Sequence, residues 1–537
     1  MVDLLFSLVP ILVILALLLI WRQPADITGV VGWAVVALVA VFAFQTSWEV
    51  IARSTASGLL KSLPVSLIVA TSLLQMALMQ STGALKRVIV FIKSISSENR
   101  AVQIMMISIG FGTLMVAVGA TPVSILPPIL LALGYSAYTS IALPAIGYDA
   151  LCTYALLGAP VVVFVDTVNK VIVKAGDAPY TLSQVGSIFW LFIPIVSTLI
   201  GFCMLWLVGK WKGVKEGWIP CLTTGVVISI VSFFTNKIDN LVPLTGVICG
   251  IAVILTMALY LKITGKKIFE RAQLTPEDIE SEKSMPLWKA LLPWGLLIII
   301  VLALNLPQDI FKMLYRDLLF PIKGLAVGPD LPGATDINTR WLWNAYTWIF
   351  VSTLLSIPFL VTKKSQLIET GKLWLKRAPR PVFAAAIFFA IGEIMGTSGF
   401  DLVTKKNIIP SMVEILATNS AKFFGSLYSL IAPFIGLLGG FITGSEASTI
   451  GMFGKYALKT AEALAYPPNI IILIAATVAF GGGLASVISP AKLQNAAASI
   501  DKMGEENKVI RVAFVFSLIL TAVTAAFAFG YVFFKVV

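Results

Sequence analysis

Long apolar runs separated by short polar segments occupy the whole chain, at 1–21, 28–44, 63–80, 101–118, 186–208, 242–261, 341–361 and 509–534 among others. A helix needs about 20 apolar residues to cross a bilayer, so the chain holds about 11–14 membrane segments. The predicted fold class is an all-α polytopic membrane protein. Two stretches disturb the pattern: Phe441-Ile-Thr-Gly-Ser-Glu-Ala-Ser-Thr-Ile-Gly-Met-Phe453 and Gly481-Gly-Gly-Leu-Ala-Ser-Val-Ile-Ser-Pro490. Each puts Gly, Pro and small polar residues into sequence that is otherwise apolar. Lipid does not tolerate free backbone NH and CO groups, so such chain must face protein or a watery cavity. Broken helices and re-entrant hairpins of this kind build substrate sites in transporters, and their positive N-terminal ends point at anions.

Composition supports the membrane reading: of 537 residues 58% are hydrophobic and 12% charged, with a mean hydropathy of +0.94. The first apolar run has no basic leading region or small-residue cleavage site, so it reads as a retained helix. The net charge is +12, but no soluble stretch is long enough to present a nucleic-acid surface. The excess reads instead as cytoplasmic loops of a multi-pass protein in the plasma or inner membrane, at 209–217, 262–284 and 363–380. The chain has no His and four Cys without paired spacing, Cys152, Cys203, Cys221 and Cys249. The cysteines read as packing residues, and neither a metal site nor a cofactor is indicated.

The halves echo each other. Met79-Gln-Ser-Thr-Gly83 resembles Met395-Gly-Thr-Ser-Gly399, and Gly119-Ala-Thr-Pro-Val-Ser124 sits where Gly444-Ser-Glu-Ala-Ser-Thr449 sits. Gly158-Ala-Pro160 sits where Ile488-Ser-Pro490 sits. An odd number of spans between the units would turn the second upside down, and basic 86–100 inside against 400–422 outside agrees with that. Inverted repeats with paired interruptions mark a secondary transporter. The resulting division is scaffold helices at 1–62, a first transport repeat at 63–165, and central scaffold helices at 166–380. The central part contains a cytoplasmic linker at 262–286 and an external loop at 306–340. A second, inverted transport repeat at 381–500 and a C-terminal helix at 501–537 follow.

Candidate chemistry follows the interruptions. Thr443, Gly444 and Ser445 can expose backbone NH groups at a break, and Ser448 and Thr449 add hydroxyls. Ser489-Pro490 reads as a helix start, with Ser as N-cap and Pro at the first position. Lys492 then falls in the first turn, where the helix dipole opposes a cation, so an anion or acid should compensate it, unless it snorkels to the interface. The first half offers Gly119, Thr121, Ser124, Thr153 and Tyr154. Three acids, Asp149, Glu393 and Glu446, lie in apolar sequence, and an ionisable residue in a membrane is by default a functional candidate. With no His, these carboxyls are the proton-coupling candidates. Glu446 leads because it sits in a break, whereas Glu393 has the alternative of pairing with a base on a neighbouring helix.

At these residues the chain resembles the lactate permease family, which also includes glycolate permeases. Phe441-Ile-Thr-Gly-Ser-Glu-Ala-Ser is similar to the family's F-L-T-G-S-D-T-S, and Gly481-Gly-Gly through Ile488-Ser-Pro490 to its G-G…I-S-P-Q-S. Weaker likenesses lie at Ala120-Thr-Pro-Val, Gly158-Ala-Pro160 and Tyr428-Ser-Leu-Ile-Ala-Pro-Phe434. The resemblance implies a proton-driven secondary carrier of small 2-hydroxymonocarboxylates without a cofactor. It also implies a scaffold, a mobile domain with two hairpins, and a homodimer. The chain departs from the family at Leu114-Met-Val-Ala-Val-Gly-Ala-Thr-Pro122, which lacks the family's acid and most of its glycines. It departs again where Asp149 and Lys492 introduce charges. Asp149 either replaces the missing acid or pairs with Lys492.

The first functional reading is therefore a proton symporter of lactate or glycolate. The second is a Na⁺-coupled carrier of another organic anion, such as a dicarboxylate or a sulfonated hydroxy acid. An intramembrane enzyme is the remote third, resting on a Ser489–Lys492 dyad alone. An ATP-driven pump lacks its phosphate-binding loop.

Overall fold

The computed structural model describes residues 2–21, 23–95, 99–173, 177–271, 274–328 and 335–536, and the side chains of Ser124, Asp149 and Pro490 lie outside the described residues. Among the described residues the protein is helical apart from two antiparallel pairs of two-residue strands. These are Pro321–Ile322 with Ile337–Asn338 and Phe400–Asp401 with Lys406–Asn407. Nine described helices are long and apolar enough to cross a membrane, and the bent pair Leu292–Asn305 and Gln308–Asp317, turned by 89°, makes a tenth. Four shorter apolar helices join them: Val2–Leu18, Ala137–Gly147, Ala345–Leu360 and Pro468–Leu484. The longest helix, Ile193–Thr235, is really two arms. Lys210 takes a φ of 50°, and the arms fold back so that Gly201 meets Cys221 and Gly225 meets Thr198. The all-α polytopic expectation holds, and each span closes its own backbone bonds as lipid requires. Segment 306–340 is more structured than a bare loop, since it contains the helix Gln308–Asp317 and the first strand pair.

Side-chain contacts sort the connections into two ends. At one end Asp26 pairs with Arg380, Lys93 with Asp278 and Arg87 with Glu282. Ser81 bonds Thr370, and Gly217 abuts Ala101. The three basic segments therefore gather at this end. At the other end Asp166 pairs with Arg340 and Asp239 with Arg316, and the Gly399 amide donates to Thr46.

The same succession of elements occurs in both halves. A helix, a left-handed glycine, a second helix, a third helix, a 3₁₀ turn and a fourth helix run from Arg100–Ala117 to Ala155–Val171, and again from Tyr428–Thr443 to Pro490–Ala498. The Tyr135 hydroxyl donates to Gln103, so the turn after Pro122–Ala132 returns to where the first helix began. The Tyr456 hydroxyl bonds Ser420, so Glu446–Ala463 likewise returns toward Met412–Phe424. Helices Tyr428–Thr443 and Pro468–Leu484 run parallel with backbones touching: a Cβ on Gly436 would strike the Val478 carbonyl, and one on Gly440 that of Gly482. Small residues take these places because lipid gives helices little hydrophobic reason to associate, and close van der Waals packing must hold them together.

The polar linker is held by a capping box at Pro276–Ser284. Thr275 accepts from the Asp278 amide, and the Asp278 carboxylate accepts from the Thr275 amide. Burial opposes the Asp278 charge, but the Thr275 amide and the Lys93 ammonium outweigh it and hold the carboxyl below its ordinary range. A carboxyl held down in the folded state stabilises docking above the ordinary range, and that contribution is lost as pH falls through the lowered value. Asp278→Asn should therefore cost about 1 kcal/mol and speed hydrogen exchange across 275–284 at neutral pH. In acid, where the native carboxyl is protonated, the two proteins should exchange alike.

Candidate functional site

The centre of the protein is built where helices stop. Tyr428–Thr443 ends at Gly444, whose φ of 68° is the left-handed turn that a residue without Cβ adopts at little cost. Ser445 then caps Glu446–Ala463, its side chain accepting from the Ser448 amide. The break is held by its own hydroxyls. Thr443 Oγ1 donates to the Ser445 carbonyl at 2.9 Å, and Thr449 Oγ1 donates to the same carbonyl at 2.8 Å. Ser448 Oγ is fully buried and has no partner among the described residues.

The second break of this half lies beside the first. After the 3₁₀ turn Ser486–Ile488, Ser489 precedes Pro490–Ala498, and its Oγ lies 3.0 Å from where a Cβ on Gly444 would project. Lys492 occupies the first turn of that helix and is partly exposed.

In the first half Gly119 turns at φ 87°, and Thr121 precedes Pro122–Ala132 without forming a side-chain cap. The later break is more strained. The 3₁₀ turn Tyr148–Tyr154 contains a kink at Leu151, and Leu156, Leu157 and Gly158 are all left-handed. Two consecutive leucines in that region cost on the order of 1–2 kcal/mol each and persist only where surrounding packing enforces them. A Cβ on Gly119 would touch Leu156, so the two breaks of this half also meet.

One carboxylate ties the halves together. Glu446 is buried, and it accepts from Thr153 Oγ1 and from Cys152 Sγ, each at 2.9 Å. These residues lie nearly 300 positions away, on the first-half 3₁₀ turn. The helix Pro490–Ala498 completes the join by packing on Pro122–Ala132. The helix N-termini at Glu446 and Pro490 thus meet, with the helix that starts at Pro122 packed alongside, and among the described residues the acid with neutral partners here is Glu446. That donor set suits a small anion bearing a hydroxyl. The described residues hold no group of His, Cys, Asp and Glu able to bind a metal.

The family model described as L-lactate permease matches residues 3–534. The chain belongs to the L-lactate permease family. It is 24% identical over 553 residues to the glycolate permease GlcA of Escherichia coli (strain K12), covering 97% of this chain and 94% of that protein. It is 23% identical to the L-lactate permease of Halalkalibacterium halodurans, over 95% of this chain and 93% of that protein. Against the L-lactate permease of Escherichia coli (strain K12) the identity is 22%, over 86% and 83%. Permeases are transporters, and this one is a multi-pass membrane protein rather than an enzyme.

Within this permease Thr443, Gly444, Ser445, Glu446, Ser448, Thr449, Ser489 and Thr153 come together, with Gly119 and Thr121 on the adjoining first-half break. Tyr154 does not join them, because its hydroxyl points away to Asn236 at 2.8 Å. Glu393 also lies apart, clasped by Lys61 at 2.5 Å and Lys455 at 2.8 Å. Asp149 belongs to the 3₁₀ turn, and its side chain, like those of Ser124 and Pro490, lies outside the described residues. Two residues at the centre were not among the sequence candidates. Cys152 reads as packing in the sequence, yet its thiol reaches Glu446. Gly483 is the last of the Gly481-Gly-Gly run, and a Cβ there would run into Cys152 Sγ and lie 2.6 Å from Glu446 Oε2. Position beside Thr153 and membership of the glycine run were the available signals.

Gly483→Ala should therefore destabilise the purified permease by about 1–3 kcal/mol through overpacking. Adding Cys152→Ala should return part of the loss, as seen in the melting temperatures of the single and double variants.

Proposed function

We propose that the protein is a secondary carrier of small 2-hydroxymonocarboxylates, lactate or glycolate, moved together with a proton. The similarity to a glycolate permease and to L-lactate permeases supports the substrate class. The observation that carries the coupling is the position of Glu446. It stands at the first position of a broken helix, inside the membrane, and its partners among the described residues are a neutral hydroxyl and a neutral thiol. Among the described residues, protonating such a carboxyl sacrifices no ion pair, whereas protonating Glu393 would sacrifice two.

The cycle begins when the substrate carboxylate meets the helix ends and the Ser448 and Ser489 hydroxyls. A proton on Glu446 keeps the loaded centre near neutral while it changes sides, since an uncompensated charge is costly in hydrocarbon. The first hairpin opens toward the basic end and the second toward the opposite end, which supports an inverted pair of transport repeats around this centre. Under the positive-inside rule the basic end, with 209–217, 262–284 and 363–380, is cytoplasmic. A second copy of the chain is the natural partner for a stationary scaffold.

Uptake of labelled L-lactate and glycolate into proteoliposomes tests the reading, with an imposed proton gradient and then with a sodium gradient. Proton-driven accumulation is expected, and Glu446→Gln should abolish it while leaving lactate–lactate exchange measurable. Accumulation by the variant equal to wild type would remove Glu446 as the coupling acid. Sodium-driven uptake without a proton gradient would overturn proton coupling.

A further inference from the structure

A second charged cluster lies away from the helix breaks, toward the end opposite the basic segments. Glu393, on Pro379–Thr397, shares its carboxylate between Lys61, at the end of Trp48–Lys61, and Lys455, on Glu446–Ala463. Lys170, in the last turn of Ala155–Val171, is within electrostatic reach of Glu393, Lys61 and Lys455. Among the described residues Lys170 forms no ion pair. The neighbouring Arg340 and Asp166 satisfy each other at 2.9 Å. Three ammonium groups thus lie in contact with or within electrostatic reach of one carboxylate, and two of them are open at the protein surface: Lys455 is 25% exposed and Lys170 is exposed.

The positions of these lysines matter as much as their charge. Lys455 lies nine residues along the helix that starts at Glu446, about 13 Å along its axis. Lys170 lies at the outer end of the helix that leaves the Thr153 turn, and Gly454 abuts Thr167 between them. The two helices that start at the proposed binding centre therefore both carry an ammonium, Lys170 in the last turn of one and Lys455 midway along the other.

We propose that Lys170 and Lys455 form a capture site for carboxylate anions, where an arriving carboxylate displaces Glu393 from Lys455 before moving inward to the helix breaks. This rests on the transport reading above. Excess positive charge at an exposed site raises the local anion concentration and speeds encounter, by about 10-fold or more when steering is strong. Displacing Glu393 also releases a tie between Pro379–Thr397 and the helix that begins at Glu446.

The test uses intact cells expressing the full chain, with initial rates of lactate uptake measured at several external ionic strengths. Lys170→Gln breaks no ion pair among the described residues, so a merely structural cluster predicts no change. Capture predicts a half-saturating concentration raised about 3–10-fold, a maximal rate within twofold of wild type, and a flatter dependence on ionic strength. Lys455→Gln should behave likewise and Lys455→Arg should restore wild-type behaviour. The control Lys459→Gln, a partly exposed lysine paired with Glu462 on its own helix, should leave the half-saturating concentration and the ionic-strength dependence unchanged. An unchanged half-saturating concentration in Lys170→Gln, or a fall in maximal rate alone, would overturn the proposal.

If wild-type cells take up neither lactate nor glycolate, the transport reading fails and capture is read separately. Sodium acetate should then raise the melting temperature of the purified chain more than sodium chloride at equal ionic strength, and Lys170→Gln should remove the difference. No acetate-specific rise in wild type would overturn capture as well.

Discussion

Everything at the centre of this permease depends on one constraint: backbone NH and CO groups exposed by a broken helix cannot be left unpaired in lipid. The protein meets it locally and globally. Locally, Thr443 and Thr449 both donate to the Ser445 carbonyl, so the break carries its own hydrogen-bond partners. Globally, the breaks are stacked on one another, Gly444 against Ser489 and Gly119 against Leu156, so irregular chain faces irregular chain. What remains unpaired is then informative. The buried Ser448 hydroxyl has no partner among the described residues, and under the proposed function it is a donor available to substrate.

Convergence of this kind needs backbones that approach closely. The parallel contact of Tyr428–Thr443 with Pro468–Leu484 depends on glycines that face main-chain atoms of the other helix, Gly440 and Gly482 among them. Gly483 extends the same run by one residue and leaves room for the Glu446 carboxyl beside Cys152. The glycine run is therefore continuous with the site: it sets the helix spacing, and that spacing admits the acid. The strain at Leu156 and Leu157 belongs to the same economy of form. Packing fixes the first-half break in a conformation that leucine alone would avoid, and this holds Thr153 where it meets Glu446.

Much of this was legible in the sequence wherever local chemistry decides. Apolar runs give the spans, because a span must be apolar along its length. Gly444 and Ser489-Pro490 mark breaks, because a left-handed turn and a missing NH are written in single residues. The candidates on those breaks were legible for the same reason. What was not legible depends on pairs far apart in the chain. Nothing near Cys152 says that its thiol reaches Glu446, nothing near Tyr154 says that its hydroxyl turns to Asn236, and nothing near Glu393 names Lys61 and Lys455. The fold-back of Ile193–Thr235 lies between: Lys210-Trp-Lys-Gly-Val-Lys215 announces a basic turn, and its geometry puts Lys210 in the left-handed region.

The contrast between the two buried acids is the clearest consequence. Glu446 and Glu393 look alike in sequence, each a lone carboxyl among apolar residues. Glu393 is bound on both oxygens by ammonium groups, and removing its charge would strand two cations, a severe penalty in a buried setting. It is therefore suited to hold helices in register and to give up one lysine only to another carboxylate. Glu446 has hydroxyl and thiol partners that serve a charged or a neutral carboxyl, and it stands at a helix N-terminus that favours negative charge without demanding it. In the proposed proton-coupled cycle Glu446 is the acid that can change its charge without breaking an ion pair among the described residues, while Glu393 is held charged by the two ammonium groups on it.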